Sequence, residues 1–163
     1  MNKQITVCQD TRDLCALIDA NAAEYNFVNV VTAFRKLLQS RRKSLARGVV
    51  ERTLQVLEAA ALRMIDAFDA KAVTSMLHII AKTRYSPCDQ SLVPKLEGRA
   101  VALAGTFNAQ DVANTLWAYA TMGREPGAGL MRKLEGRAEA LAGTFNAQEI
   151  GRASCRERVS RSV

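Results

Sequence analysis

LEGRAVALAGTFNAQDV, Leu96 to Val112, returns as LEGRAEALAGTFNAQEI, Leu134 to Ile150, in register from end to end. A fixed period between about 20 and 50 residues marks units that are each one small supersecondary element, able to bury an apolar face only by stacking on neighbours. The expected fold is therefore all-α: an α-solenoid of antiparallel helix pairs, about 38 residues per unit, the step from Leu96 to Leu134. Such an array offers a row of similar positions and not one deep pocket, which directs function towards recognition along a surface.

The local signals within the repeat are specific. Leu92, Leu96, Ala100 and Leu103 keep near-helical spacing in a first helix, and Gly105 is expected to be its left-handed stop. Pro94 fits only if that helix begins near Ser91, where a missing N–H costs nothing. Asn108 then reads as an N-cap with Asp111 three residues on, and Phe107 with Val112 as a hydrophobic staple. Val112, Leu116, Tyr119 and Ala120 mark the expected buried stripe of a second helix, closed by Gly123.

The same device persists where identity has faded: Tyr25-Asn26 with Val30 and Phe34, Phe68-Asp69 with Val73 and Leu77, and Phe145-Asn146 with Glu149 and Ile150. The staple aromatics thus fall at Tyr25, Phe68, Phe107 and Phe145, and the first interval is the longest because it absorbs the loop Ser40–Ser44. First helices are expected around Thr11–Ala20, Leu45–Ala67, Ser91–Ala104 and Ala128–Ala142. Three helix pairs are then complete within residues 1–150, and a fourth has only its first helix. Three is about the minimum for a stable stack.

The similarity stops abruptly. Val112 is followed by Ala113-Asn114-Thr115-Leu116-Trp117, Ile150 by Gly151-Arg152. EIGRASCRERV, Glu149 to Val159, reads as the in-frame translation of a sequencing-library adapter, so 151–163 is expected to be a non-native tail; the alternative is a basic tail. Its four arginines and one glutamate account for three of the seven net positive charges, leaving +4. That residual charge still favours an anionic partner.

At 48% hydrophobic and 24% charged, the chain has the balance of an ordinary globular domain, not of a disordered one. No apolar run long enough for a membrane span is present. Cys8, Cys15, Cys88 and Cys155 form no CxxC and have no clustered histidines, so they read as reduced intracellular thiols and neither a zinc site nor a disulfide frame. The segment MNKQITVCQD has neither a signal peptide's apolar core nor the Arg/Ser richness of a transit peptide.

No catalytic constellation, cofactor motif or metal site emerges. His78 occupies the slot of Trp117 one unit earlier and reads as a packing or boundary residue; GREPGAG, Gly123–Gly129, lacks the lysine of a phosphate loop and reads as a turn. Basic residues recur instead. Lys95 and Arg99 share one helix face, and Lys133 and Arg137 repeat them; all four are expected on the surface. Arg41, Arg42, Arg84 and Arg124 lie where second helices end. Stacked units would align these into stripes suited to a phosphate backbone, or the charges simply form a solvated face favoured by helix C-termini. Asn114, with Ser75 and Thr32 in the same slot, is a polar position that varies between units, as base reading by a helical repeat requires. Trp117 suits base stacking, but its spacing reads first as inter-helix packing.

The period and the second-helix sequence FNAQDVANTLWAYATMG resemble the octotricopeptide repeat family, whose arrays often end in a RAP domain and are related to the FAST-kinase-like proteins. The resemblance is strongest over Leu92–Ile150 and weaker over Met1–Ser86. It implies a right-handed α-solenoid that binds single-stranded RNA in the chloroplast or mitochondrion and governs transcript stability, processing or translation. With no catalytic constellation, no enzyme activity is expected of the segment, and it is expected to be a monomer. The chain departs from the family pattern in being short and lacking any RAP segment, and a transit peptide is expected to be missing from its start. Two alternatives stay open: a protein- or peptide-binding scaffold of the tetratricopeptide kind, and a regulatory helical segment of a larger RAP-domain protein.

Overall fold

A computed structural model of the protein describes residues 1–40, 47–144 and 150, with the side chain of Arg47 excepted. Every regular element among the described residues is helical: α1 (Asn2–Val7), α2 (Thr11–Asn21), α3 (Phe27–Ser40), α4 (Arg47–Arg63), α5 (Ala70–Thr83), α6 (Leu92–Leu103), α7 (Ala109–Met122) and α8 (Ala128–Ala140). Short 3₁₀ turns, Ile65–Ala67, Ala104–Thr106 and Ala142–Thr144, follow α4, α6 and α8. Arg41 and Arg42, the Phe145-Asn146 staple and the tail 151–163 lie outside the described residues.

The second helices start where the aromatic–cap pairs place them, because each cap satisfies N–H groups that the first turn leaves orphaned. Asn26 and Asn29 exchange backbone-to-side-chain hydrogen bonds of 3.0 and 3.2 Å ahead of α3. Asp69 accepts from the Ala72 N–H at 2.7 Å. Asn108 accepts from the Asp111 N–H at 2.8 Å, while Asp111 accepts from the Asn108 N–H at 3.2 Å, a complete capping box. Tyr25, Val30, Phe68, Val73, Phe107 and Val112 are all buried.

The chain packs as two compact units. One comprises Met1–Phe68 and Tyr85–Lys95. In it α2 packs on α3 and α4, α3 on α4, and α1 on both α2 and α3. Leu14, Ile18, Phe34, Leu37, Leu54 and Leu57 fill its core, each such side chain contributing about 1.5–3 kcal/mol by leaving water. Tyr85 stands edge-on to Phe34 with ring centroids 5.6 Å apart. Helix α1 carries no signal in the sequence: at six residues it is too short to hold itself, and one buried side chain, Ile5, gives no readable period. It is held by packing and by Asn29 Nδ2 donating to Asn2 Oδ1 at 2.9 Å.

The other unit comprises Asp69–Arg84 and the residues from Leu96 on. Here α5 packs along α7, and α8 packs on α7 and on the 3₁₀ turn that follows α6. Its core includes Met76, Leu77, Leu96, Phe107, Tyr119, Leu130 and Leu134. The buried face of α7 is broader than the sequence stripe. Asp111, Thr115 and Ala118 are buried with Val112 and Tyr119, whereas Leu116 and Ala120 are only half-buried. Packing against α5 explains the turn of that face, and the polar groups it covers are satisfied. Thr74 Oγ1 donates to Asp111 Oδ1 at 3.1 Å, and Thr115 Oγ1 to the Asp111 carbonyl at 2.8 Å.

Two kinds of helix end recur, a left-handed stop and a 3₁₀ turn. Gly123 closes α7 at φ 65°, with the Arg124 N–H donating to the Tyr119 carbonyl at 3.1 Å. Arg84 takes the same left-handed conformation, φ 51°, at the end of α5, in the slot that Gly123 fills one repeat later. Gly105 is not the left-handed stop expected of it. The end of α6 tightens into the 3₁₀ turn, where the Phe107 N–H donates to the Ala104 carbonyl at 3.2 Å and no positive φ is needed. Helix α6 begins at Leu92, and its first main-chain bond, Lys95 N–H to the Ser91 carbonyl, leaves Pro94 among positions with no partner to lose.

Candidate nucleic-acid interface

The repeated first-helix cations are not equivalent. Lys95 and Lys133 are exposed, while Arg99 and Arg137 are half-buried. Arg137 Nε donates to the Phe107 carbonyl at 2.6 Å, so this guanidinium ties α8 to the chain entering α7. Of the four expected on the surface, Arg137 is only partly so: it is half-buried, and one of its five N–H donors serves the fold. Arg84 and Arg124 are exposed at the ends of α5 and α7, where the negative pole of the helix favours a cation with or without a ligand.

The slot of Asn114 is half-exposed in each of the three second helices among the described residues. Thr32 on α3, Ser75 on α5 and Asn114 on α7 share that environment, and Thr32 Oγ1 donates back to the Val28 carbonyl at 2.8 Å. Around Ser75 the outward face of α5 mixes cations with polar and aromatic side chains. Lys71, Ser75, His78 and Lys82 follow one another at helical spacing, the two lysines exposed and the middle pair half-buried. His78 meets Trp117 of α7, ring centroids 4.6 Å apart and planes 31° from parallel, so the pair that sequence register makes equivalent is also in contact. The repeat pattern does not flag Lys71 and Lys82, because neither recurs one unit on, where Gln110 and Thr121 stand.

A second arrangement also escapes the sequence reading. Glu58 on α4 is 2% exposed, a burial that a carboxylate tolerates only with donors around it. It accepts from the Tyr85 hydroxyl at 2.6 Å and from the Cys88 and Asp89 N–H groups at 3.1 and 3.0 Å. Its counterpart in the next unit, Glu97 on α6, accepts from the Tyr119 hydroxyl at 2.7 Å and from the Gly127 N–H at 3.0 Å. Burial first, then the bond to Glu97 and its charge, push the Tyr119 phenol well above its ordinary pKa. Both carboxylates clasp the loop leaving a second helix. The sequence signal is Leu-Glu-x-x-Ala at Leu57, Leu96 and Leu134, which shows the recurrence and not its purpose. An open cleft of about 450 Å³ beside Glu58 is lined by Gln55, Cys88, Asp89 and Gln90, but the carboxylate at its edge is already committed to three donors.

Cys8, Cys15 and Cys88 form no disulfide, and burial pushes the Cys15 thiol up. Among the described residues no three metal-ligating side chains cluster, and no helix is long and apolar enough to cross a membrane. Comparison with protein-family models, with curated proteins and with solved structures finds no match to this chain.

Proposed function

We propose that the chain is a helical-repeat solenoid that holds single-stranded RNA passively, cations gripping phosphates and half-exposed polar side chains biasing the choice of base. The observation that carries this reading is the pairing of a charge repeated in two successive units, where the preceding unit has Val56, with a polar slot that varies over three. Lys95 and Lys133 are exposed at one position of the repeated sequence, and Thr32, Ser75 and Asn114 are half-exposed at another. A phosphate backbone is the same at every nucleotide and calls for the repeated element; bases differ and call for the varied one. Arg84, Arg99 and Arg124 add cations to that set, and Arg41 and Arg42 are carried into it from the sequence alone. By the family resemblance, the ligand is an organellar transcript in the chloroplast or mitochondrion whose stability, processing or translation the protein governs.

The test is a titration with mixed-sequence single-stranded and duplex RNA at two salt concentrations. Single strands are expected to bind, and duplex less well, since its bases are stacked and its groove geometry differs. For a chain ending at Ile150 that neutralises about four phosphates, log affinity falls against log salt with a slope near −3, from roughly 0.7 per phosphate. Asn114→Ala changes base preference and leaves that slope nearly unchanged. Failure to bind either nucleic acid at low salt, with the fold intact, would sink the reading and favour a peptide-binding scaffold.

A further inference from the structure

The second helices carry more on their outward faces than a polar slot. One turn beyond Thr32, Ser75 and Asn114 stand Arg35, His78 and Trp117. A guanidinium, an imidazole and an indole share little in size or charge, and as core residues they are not interchangeable. What they have in common is a planar π face, the property that lets a side chain stack on a nucleobase regardless of which base it is.

The environment of these groups agrees. Arg35 is exposed, and His78 and Trp117 are half-buried, whereas Phe34, Leu77, Ile79 and Ala118 beside them in sequence are buried and Lys36 and Leu116 are half-buried. Packing of α5 on α7 therefore does not account for these positions by core filling alone. In the unit formed by α5 and α7 the two rings lie against one another, centroids 4.6 Å apart and planes 31° from parallel, which leaves no room for a base between them and only the outer face of each ring for one. Exposed Lys71 and Lys82 bracket His78 on its own helix, one turn from Ser75 and from His78 respectively. The surface thus has an aromatic pair with cations at either end of α5 and hydrogen-bonding side chains beside it.

We infer that the His78–Trp117 pair is a stacking platform for one unpaired nucleobase of a single strand, with Ser75 and Asn114 placed to bond the edge of that base and Lys71 and Lys82 to hold its phosphates. This rests on the RNA-binding reading and adds a base-contacting site to it. A stacked base meets the outer face of the pair, since the rings already cover each other's inner faces. The platform tolerates any base; discrimination belongs to the polar neighbours.

Trp117 is the chain's single tryptophan, so its emission reports this site alone. The full chain is titrated with a fluorescein-labelled, mixed-sequence oligoribonucleotide while label anisotropy and tryptophan emission are followed together. An abasic strand of the same length is run in parallel. The expected result is quenching of Trp117 that saturates with the anisotropy change for the base-bearing strand and is absent for the abasic one. Trp117→Phe keeps affinity within a few-fold, and Trp117→Leu, of comparable apolar character without a π face, weakens it about tenfold or more. Circular dichroism checks that each variant is folded, and the wild-type emission arm stands even if one is not. Strand binding with unperturbed emission and an unchanged Trp117→Leu affinity overturns the platform and leaves RNA binding in place. Equal quenching by the abasic strand also overturns it, as a polyanion effect. No binding of any strand at low salt overturns both.

Discussion

Glu97 is bonded from two directions, by the phenol of Tyr119 and by the main-chain N–H of Gly127, and the stability of the second unit depends on both bonds. Removing it in Glu97→Ala leaves a buried hydroxyl without its acceptor, at a cost of about 1.5–3 kcal/mol for bonds to a charged group. Gly127→Ala acts on the same contact differently. The new Cβ would run into the Glu97 carboxylate, which is the far end of a flexible side chain and can swing away. The loss is then about one hydrogen bond, roughly 1 kcal/mol, and the double variant should cost no more than Glu97→Ala alone. Urea denaturation of the three variants measures this, and additive costs would show that the two residues do not share one contact. Tyr119 supplies a pH signature. Its pKa is raised in the folded chain, so below about pH 10 the phenol is neutral in both states and its contribution is fully present. Above that, the unfolded chain loses a proton that the folded one keeps, and stability falls as pH rises. Tyr119→Phe should flatten that alkaline limb of a urea-midpoint profile. None of this is legible in the sequence, because an acidic residue at a fixed offset states nothing about partners lying 22 and 30 residues further on.

At the scale of elements, the starts of helices are far more legible than their ends. An N-cap is a local arrangement: Asn108 bonds its own third neighbour, so the residues that decide it sit close together in the sequence. A C-terminus has several solutions open to the same glycine. Gly123 adopts the left-handed one and Gly105 sits in a 3₁₀ turn, and what differs is whether the chain must reverse into a loop or run straight into the next cap. Gly105→Ala is accordingly expected to be neutral or slightly stabilising, since an added Cβ meets nothing within 4 Å and φ is not positive. Gly123→Ala meets nothing either, yet it forces a side chain into the left-handed region and should cost about 1 kcal/mol. Arg84→Gly, at the same slot of α5, should gain a similar amount. Thermal midpoints of the three variants check the assignment; a destabilising Gly105→Ala would return that residue to the role the sequence suggests for it.

For the whole molecule the question is which of its positive charges serve a ligand. The repeat makes Lys133 and Arg137 look alike, since both have a counterpart one repeat earlier, Lys95 and Arg99, and both follow helical spacing on α8. Sequence can show that a charge recurs; it cannot show that one recurrence is exposed and another is bonded to a main-chain carbonyl, because that carbonyl, of Phe107, belongs to a different helix pair. The two roles separate in experiment. Lys133→Glu reverses an exposed charge and should leave the urea midpoint unchanged while making the salt dependence of RNA binding shallower by about 0.7 for the lost phosphate contact. Arg137→Glu removes the bond to Phe107 and sets a carboxylate against that carbonyl, so it should lower stability by about 1–3 kcal/mol whatever it does to RNA. Arg137→Gln discriminates further: if the residue also touches phosphate, affinity falls and the slope shallows even where the fold holds at low urea. If Arg137→Gln costs stability and leaves the salt slope intact, the guanidinium belongs to the scaffold, and the phosphate-binding face proposed for α8 is reduced to Lys133.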